Sequence, residues 1–553
     1  GHPRFSRTSA LADLWLPIRA GTDIVFLGGL VRYVLENELF FRDYVVHYTN
    51  ASVILREDFR DTEDLDGLFS GWDDEKMTYD HESWSYEGDD PVRPRRDPTL
   101  AHPRCVFQVL KRHFSRYTPE RVEEVPGIPQ DLFLDAAEKI AAASGPEKTA
   151  AICYAVGWTQ HSKGVQIIRT AAILQLLLGN IGRPGGGILA LRGHASIQGS
   201  TDIPTLYDIL PGYMPMPKWG TGEETIDSWV ANHGKKGGLW SNIRKYLVSL
   251  LKAWYGTRAH AGNDFGWRFV PRTTHDHSHF RFFTEMDAGK VEGFFVMGQN
   301  PAVGAVNSRF QRKALAKLRW LVVRDLVETE TAAFWKDGPE IERGELDPAH
   351  IETEVFLFSA AGHAEKEGSF TNTQRLLQWR EKAVDPPGEA RSDSWFVHQL
   401  AKRLREKALA SEDPEDEPLR ALDWWYPENE LGEPEMEAVL AEINGFRTDP
   451  GEGPEGVVLG DDREGRPHDG PQVPGLKELE EDGTTACGCW IYSGVYGPDG
   501  VNRARQRDPE DALGHGWGFA WPSDRRILYN RASARPDGAP WSERKKLVWY
   551  GYG

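Results

Sequence analysis

Several short stretches of this chain pair glycine with side chains able to grip an anion or a purine. Leu191-Arg192-Gly193-His194 sets a guanidinium and an imidazole on either side of a glycine. An arginine fork matches a small carboxylate in two parallel hydrogen bonds, and it stays charged at any working pH. Arg183-Pro184-Gly185-Gly186-Gly187 is glycine-rich beside an arginine, a pattern in which bare backbone N–H groups approach a phosphate. Two further loops each open on a glycine: Gly157 leads to Gln160 and His161, and Gly298 leads to Gln299, Asn300 and Pro301. Asp23, Asp325 and Asp393 stand at predicted strand exits or helix starts. A carboxylate accepts two parallel bonds from the N1–H and N2–H₂ edge of guanine, so these aspartates suit a guanine-nucleotide site with no Walker loop. Taken singly, each has a plainer reading. Asp23 and Asp393 are good helix caps. Arg192 would serve as a salt-bridged surface residue, and His161 and His194 as ordinary loop histidines.

The elements that would position these residues follow from apolar periodicity. Thr22-Asp23 precede Ile24, Leu27, Val31, Val34 and Leu35, a stripe at helical spacing behind a capping residue. Thr118-Pro119 predicts a capped helix with proline at its first position, and another helix follows near Gln130–Ala143. Thr149–Val156 predicts a buried strand that breaks at Gly157, with a helix over about Gly164–Leu178. Gly187–Leu191 is a short strand-like run ahead of Arg192. Gly293–Met297 predicts a second buried strand that breaks at Gly298, followed by a basic amphipathic helix near Arg309–Leu318. Trp320–Val323 predicts a third, closed by Arg324-Asp325. Strands alternating with helices imply parallel sheets covered on both faces. The fold class expected is α/β, with two doubly wound parallel-sheet domains over 1–193 and 194–401 and an irregular wrapping extension over 402–553. In such sheets ligands bind beyond the carboxyl ends of the strands, and the Gly157, Arg192, Gly298 and Asp325 loops are expected to converge on one crevice. Residues 56–98 are charged and aperiodic and predict a surface excursion; Glu433–Ile443 is the one clear helix of the extension.

Composition bounds the function. The 553 residues suffice for about three or four domains, and 40% hydrophobic content supplies ordinary cores. A net charge of −19, from 65 basic and 84 acidic residues, argues against a nucleic-acid partner. No apolar run reaches the length of a membrane span. Gly1-His2-Pro3-Arg4 has no apolar segment behind it, so it is not a secretory leader, and it reads as a start inside a domain. Cys105 and Cys153 read as packing residues. Cys487 and Cys489, one residue apart, are too close for the usual CxxC site; packing is expected, with a reactive or metal-touching pair as the alternative. These four cannot make a Cys₄ iron–sulfur site.

Taken in order, these stretches resemble the catalytic subunit of molybdenum- or tungsten-dependent formate dehydrogenases, within the enzymes that carry a bis(molybdopterin guanine dinucleotide) cofactor. The stretches are PRFSRTSALADLWLPIRAGTD at Pro3–Asp23, GWTQHSKGVQIIRT at Gly157–Thr170, LLLGNIGRPGGGILALRGHASIQG at Leu176–Gly199, MGQNP at Met297–Pro301, EKEGSFTNTQR at Glu365–Arg375 and RSDSW at Arg391–Trp395. DGTTACGCWIYSG at Asp482–Gly494 and RRILYNRAS at Arg525–Ser533 resemble the respiratory branch. The resemblance implies that Thr22 and Asp23 hold one guanine dinucleotide, and that Val156, Gln160, Arg192 and Gly193 contact the cofactor. Gln299 or Asn300, Arg324, Asp325, Lys366 and Asp393 would hold the other. Arg192 would orient formate beside the metal, with His194 as its neighbour. The implied reaction is two-electron oxidation of formate to CO₂, with electrons passed to iron–sulfur centres.

The resemblance also implies what the chain does not carry. Relatives have an upstream four-cysteine [4Fe–4S] domain, a metal-ligating cysteine or selenocysteine followed by histidine, and a C-terminal barrel segment. His2 stands where relatives usually have aspartate. The chain thus reads as the central segment of a catalytic subunit, inactive by itself. Its implied partners are the [4Fe–4S]-bearing N-terminal segment or chain, the barrel segment, an iron–sulfur electron-transfer subunit and a membrane cytochrome subunit. The implied location is the periplasm, with the cytoplasm as alternative. Alternatives for function are another enzyme of the same cofactor class, such as a nitrate reductase, or a non-catalytic fragment that binds cofactor or partner.

Overall fold

The computed structural model describes residues 2–88, 90, 93–448, 470–497, 499–508, 510, 516–525 and 531–544. They form two compact units, Gly1–Gly193 with Ile527–Gly553, and His194–Arg526. Both mix helices with small sheets, and the parallel pairing expected from the strand–loop–helix repeat occurs in each. Among the described residues no helix is long and apolar enough to cross a membrane.

In the first unit, α1 (Asp23–Glu36) is the central helix. It packs against α2 (Val106–Phe114), α3 (Pro119–Glu124), α4 (Gln130–Ala142) and the later helix over Gly164–Leu177. Its Gly28-Gly29 pair permits this crowding. A Cβ on Gly28 would lie 2.7 Å from the Tyr117 ring, and one on Gly29 would lie 2.7 Å from Val122. Thr118 caps α3 as its sequence predicts, its hydroxyl accepting from the Arg121 N–H at 3.3 Å. Strand β1 (Ala151–Tyr154) leads into a single helical turn, α5 (Val156–Thr159), and then into α6 (Gly164–Leu177). Strand β2 (Gly187–Ala190) pairs parallel to β1, with Ala151 opposite Gly187 and Tyr154 opposite Ala190. Buried Gln175 on α6 locks the sheet to the helix, donating to Ala150 O at 2.9 Å and Gly187 O at 2.6 Å.

The strand expected over Thr149–Val156 is shorter than its apolar run. It ends at Tyr154 because Val156 already begins a helical turn, so the break precedes Gly157. Nor is it buried on both faces: Ala151 and Cys153 are exposed, and Cys153 is therefore not the packing residue expected.

The second unit begins with α7 (Ile197–Asp202) and the largely buried α8 (Ile243–Tyr255). Helix α9 (His279–Asp287) leads into β3 (Gly293–Met297). Then come α10 (Ser308–Leu315), β4 (Trp320–Asp325) and β5 (Glu354–Ser359). These strands form a three-stranded parallel sheet in the order β3-β4-β5, with Met297 opposite Arg324 and Asp325 opposite Ser359. Strands β6 (Gly368–Thr371) and β7 (Leu376–Arg380) make an antiparallel hairpin. The long helix α11 (Asp393–Ala410) follows. Residues 402–526 belong to this unit too. They include α12 (Met436–Asn444) and the Cys487–Tyr492 stretch, which enters the same apolar core as α8. There Trp490 stacks on Tyr246 with ring centroids 4.3 Å apart.

Candidate functional site

In the first unit the expected residues collect where β1 and β2 end. The Leu191 N–H donates to Tyr154 O at 2.7 Å, so both strands release their loops side by side. Arg192 and Gly193 follow at once and are exposed. Among the described residues the Arg192 guanidinium has no hydrogen-bond or ion-pair partner, which leaves its fork open to an anion. Asp23, the first residue of α1, accepts from the Trp158 indole N–H at 3.1 Å. Trp158 in turn stacks on Tyr154, with centroids 5.2 Å apart. The start of α1 is thereby tied to the turn after β1. A Cβ on Gly21 would lie 3.7 Å from His161 Nδ1. Thr22 occupies the capping position but does not cap: its hydroxyl donates to Arg19 O at 2.6 Å. Val156 is 60% exposed and Gln160 is exposed, so both offer surface at this strand end.

Arg183 is a correction. It was expected to neutralise a phosphate within a glycine-rich loop. Its side chain is buried and donates to Gly145 O, Gly179 O and Pro146 O at 2.7–3.0 Å. Of the neighbouring glycines, Gly186 answers to space: a Cβ there would lie 2.2 Å from Asn180 O. This stretch is a turn held by an arginine.

In the second unit the expected residues meet at the carboxyl ends of β3 and β4. Gly298 donates to Arg324 O at 2.9 Å, which fixes the two strand exits against each other. Gly298 has a φ of +62° with open space beside its Cα, a turn that a side chain would strain. The alternative between Gln299 and Asn300 separates clearly here. Asn300 is engaged on both sides, donating to Glu330 at 2.5 Å and accepting from the Thr331 N–H and hydroxyl at 3.1 and 2.7 Å. Gln299 is exposed. Asp325 is half-buried, and its carboxylate accepts from the Leu326 N–H at 2.8 Å.

Arg324, Lys366 and Asp393 form one cluster. Lys366 Nζ is 2.7 Å from one Asp393 carboxylate oxygen, and Arg324 Nε is 3.5 Å from the other. Arg324 itself is 1% exposed and donates to Arg391 O at 2.8 Å and Ser392 O at 3.1 Å. Its guanidinium lies over the Phe396 ring at 4.8 Å. Ser392, whose hydroxyl accepts from the Trp395 N–H, is the cap of α11, and Asp393 is the first helical residue. The capping role considered for Asp393 therefore falls to its neighbour. Arg324 acts on the segment that presents Asp393, whose side chain keeps 43% of its surface.

Three further residues belong here that their local sequence did not mark. Glu433 anchors Ser392, accepting from its N–H at 2.9 Å and from its hydroxyl. His363 sits with its ring centroid 6.3 Å from that of His194. Burial, and then the charges of Lys366 and Arg380, push its pKa below the ordinary histidine value. Arg380 donates to the carbonyls of His363 and Lys366 and covers the Phe370 ring at 5.0 Å. Beside Lys366 a cavity of about 180 Å³ is lined by Glu367, Lys382, Ser392 and Glu433. His194 Nδ1 accepts from the Ser196 N–H at 3.0 Å, leaving Nε2 outward on an exposed residue.

The respiratory-type stretch around Cys487 and Cys489 proves to be core. Both thiols are about 1% exposed. Burial pushes Cys487 up to about 12 and Cys489 well above the ordinary thiol value, so neither is the reactive or metal-touching thiol of the alternative reading. The stretch serves instead to hold Asp202, the last residue of α7. Fully buried, Asp202 accepts from the hydroxyls of Tyr492 and Tyr213 at 2.6 Å and from Gln198 at 2.9 Å. Of RRILYNRAS at Arg525–Ser533, residues 526–530 lie outside the described residues. Its end packs in the first unit, where Trp541 Nε1 donates to Ala532 O at 2.8 Å.

Comparison with known proteins places this geometry. Residues 359–403, which run from the end of β5 through Lys366 to the middle of α11, match the molybdopterin oxidoreductase family. Over 99% of its length the chain is 42% identical to the nitrate-inducible formate dehydrogenase major subunit of Escherichia coli, covering 54% of that protein. It is 43% identical to the formate dehydrogenase-O major subunit of the same organism, again covering 54%. It is 39% identical to the formate dehydrogenase subunit alpha of Megalodesulfovibrio gigas, covering 53%. Over almost its whole length the chain is thus similar to formate dehydrogenase major or alpha subunits, and it spans about half the length of these curated relatives. Acetylene hydratase from Pelobacter acetylenicus superposes with a TM-score of 0.37 at 16% identity, over 73% of this chain and 42% of that one, too slight a likeness to argue from.

Proposed function

We propose that this chain is the cofactor-cradling part of a formate dehydrogenase catalytic subunit, serving the two-electron oxidation of formate to CO₂ with electrons passed to iron–sulfur centres. The observation that carries the reading is an unpaired arginine at a strand exit, in a chain 39–43% identical over 99% of its length to formate dehydrogenase major or alpha subunits. Each small parallel sheet is read as the core of a doubly wound domain, the first over 1–193 and the second over 194–401.

The residues present fit a bis(molybdopterin guanine dinucleotide). Asp23, Asp325 and Asp393 supply carboxylates suited to the guanine N1–H and N2–H₂ edge, each at a helix start or strand exit. Thr22, Val156, Gln160 and Gly193 would complete the set in the first unit. Gln299, the open member of the Gln299/Asn300 alternative, and Lys366 would do so in the second. Buried Arg324, whose Nε lacks a hydrogen-bond partner, positions Asp393. When bound, the molybdenum or tungsten cofactor supplies the two-electron redox chemistry. The chain's own share is binding and orientation: Arg192 takes the formate carboxylate in two charge-assisted hydrogen bonds. His194 lies two residues on in sequence, its ring held by the Ser196 N–H at Nδ1. The proposed partners are a [4Fe–4S]-bearing segment with the metal-ligating cysteine or selenocysteine, a barrel segment, an iron–sulfur subunit and a membrane cytochrome. The proposed location is the periplasm.

The test is Arg192→Lys in the assembled enzyme. The substitution keeps the charge and removes the fork. Formate oxidation per bound metal should fall about tenfold or more, the equivalent of roughly 1.4 kcal/mol, while pterin and metal content hold. Unchanged activity per metal, with or without a loss of cofactor, would remove Arg192 from the catalytic role.

A further inference from the structure

Ahead of α9 the chain reads His275-Asp276-His277-Ser278-His279, with Glu285 further along the helix. Histidines at alternate positions of an extended segment share a side. His275 and His277 do so, their rings 4.2 Å apart. His279 is turned to other work: it packs on Phe283 at 4.9 Å and receives the Gln311 side chain. One ligating atom each of His275, His277 and Glu285 lies within 4.8 Å of the other two. His275 Nε2 is 3.2 Å from one Glu285 carboxylate oxygen and 3.1 Å from the other.

The groups around these three hold them as outer ligand supports do. The Thr274 hydroxyl is 2.7 Å from His275 Nδ1, which orients that ring with Nε2 toward Glu285. Arg281 Nε donates at 2.9 Å to the Glu285 oxygen that lies 3.1 Å from His275 Nε2, which holds the carboxylate with its other oxygen 3.2 Å from the same nitrogen. Tyr207 packs edge-on to His277 at 5.5 Å. Asp276, the other carboxylate of the loop, is engaged elsewhere. It accepts from the Tyr207 hydroxyl at 3.0 Å and from the Ser278 N–H and hydroxyl at 2.8 and 3.0 Å.

We propose that His275, His277 and Glu285 form a three-ligand site for a borderline divalent transition ion of the Zn²⁺ and Ni²⁺ class, completed by water. Two imidazoles with one carboxylate select such ions over Mg²⁺ or Ca²⁺, which take oxygen donors. Tetrahedral bonds near 2.1 Å set ligand atoms about 3.4 Å apart. A cluster already within 4.8 Å reaches that spacing by side-chain rotation at partly exposed positions, without movement of the backbone. The ion would staple the incoming loop to α9, whose Phe283 and Met286 are buried in the core that also holds Val296 of β3. The site would be structural and shares no residue with the proposed cofactor set.

The test uses the full chain stripped with a chelator and titrated with ZnCl₂ and NiCl₂ by calorimetry, with Co²⁺ absorption bands as a second readout. One ion per chain should bind with micromolar affinity. His277→Ala and Glu285→Gln should each weaken it by about 10- to 100-fold and abolish the Co²⁺ bands, and Thr274→Val by about tenfold. His350→Ala, at a surface histidine outside the cluster, should change nothing. If His277→Ala fails to fold by circular dichroism, Glu285→Gln, which leaves both histidines in place, decides. No binding at sub-millimolar ion, or binding that Glu285→Gln leaves intact, overturns the site.

Discussion

Replacing Arg324 by methionine separates a residue that holds a ligand from one that holds the segment presenting it. The guanidinium is buried and donates to the carbonyls of Arg391 and Ser392 at the entry to α11. A hydrogen bond from a charged donor is worth about 1.5–3 kcal/mol, and each carbonyl keeps a backbone donor when the guanidinium goes, the Ala361 N–H at 2.8 Å and the Phe396 N–H at 3.2 Å. The two bonds do not sum freely, because the native state already bears the cost of desolvating the cation. Burial accordingly depresses the pKa of Arg324. Asp393 adds little, since its side chain is 43% exposed and keeps Lys366 at 2.7 Å. Methionine refills much of the volume. The expected loss is therefore about 3 kcal/mol, within the roughly 3–5 kcal/mol typical of breaking a buried pair. Arg324→Lys, with the charge but no fork, should lose about half of that. Urea unfolding of the full chain followed by tryptophan fluorescence measures both, and cofactor content is read in the assembled enzyme. A change within about 0.5 kcal/mol, the range of an ordinary surface substitution, would refute the bracing role. Intact stability with lost cofactor would instead make Arg324 a direct ligand.

Thiol labelling should discriminate sharply: in the native chain at pH 8 iodoacetamide should alkylate exposed Cys153 and spare Cys487 and Cys489, whose thiols burial keeps protonated. Labelling of either buried thiol at the rate of Cys153, read by peptide mass, would contradict the core assignment. Glu442 should make stability fall with rising pH. Burial, aided by the charge of Asp423 and opposed by the Tyr426 hydrogen bond, lifts its carboxyl to about 8. The folded state then keeps a proton that the unfolded chain gives up near pH 4.5. The contribution is full below that pH and lost as pH rises toward 8, with a ceiling of about 5 kcal/mol that the residue's partial exposure reduces. Glu442→Gln should flatten the urea midpoint between pH 5 and 8.5; an equal slope in both proteins would rule the group out.

Local order was legible in the sequence, and the side chains' availability was not. Apolar runs closed by polar loops predicted β1, β3 and β4 and the helices after them, although β1 and β3 each leave one face exposed and are not the doubly buried strands expected. Thr118-Pro119 marked a helix start because proline and a capping hydroxyl act within four residues. The motifs placed Lys366 and Asp393 in one set, and the structure joins them by an ion pair. Which of the marked residues remain free to meet a ligand was decided only by partners far along the chain. Arg324 is drawn inward by carbonyls 67 and 68 residues away, Asn300 by Glu330 and Thr331, and Arg183 by the carbonyls of Gly145 and Pro146. Arg192, with the same chemistry as Arg183 and nine residues beyond it, finds no such partner among the described residues. The physical reason is that a backbone's period and turns are encoded by neighbours. A guanidinium's five donors are satisfied or left open by whichever carbonyls and carboxylates the tertiary fold brings within 3 Å of them.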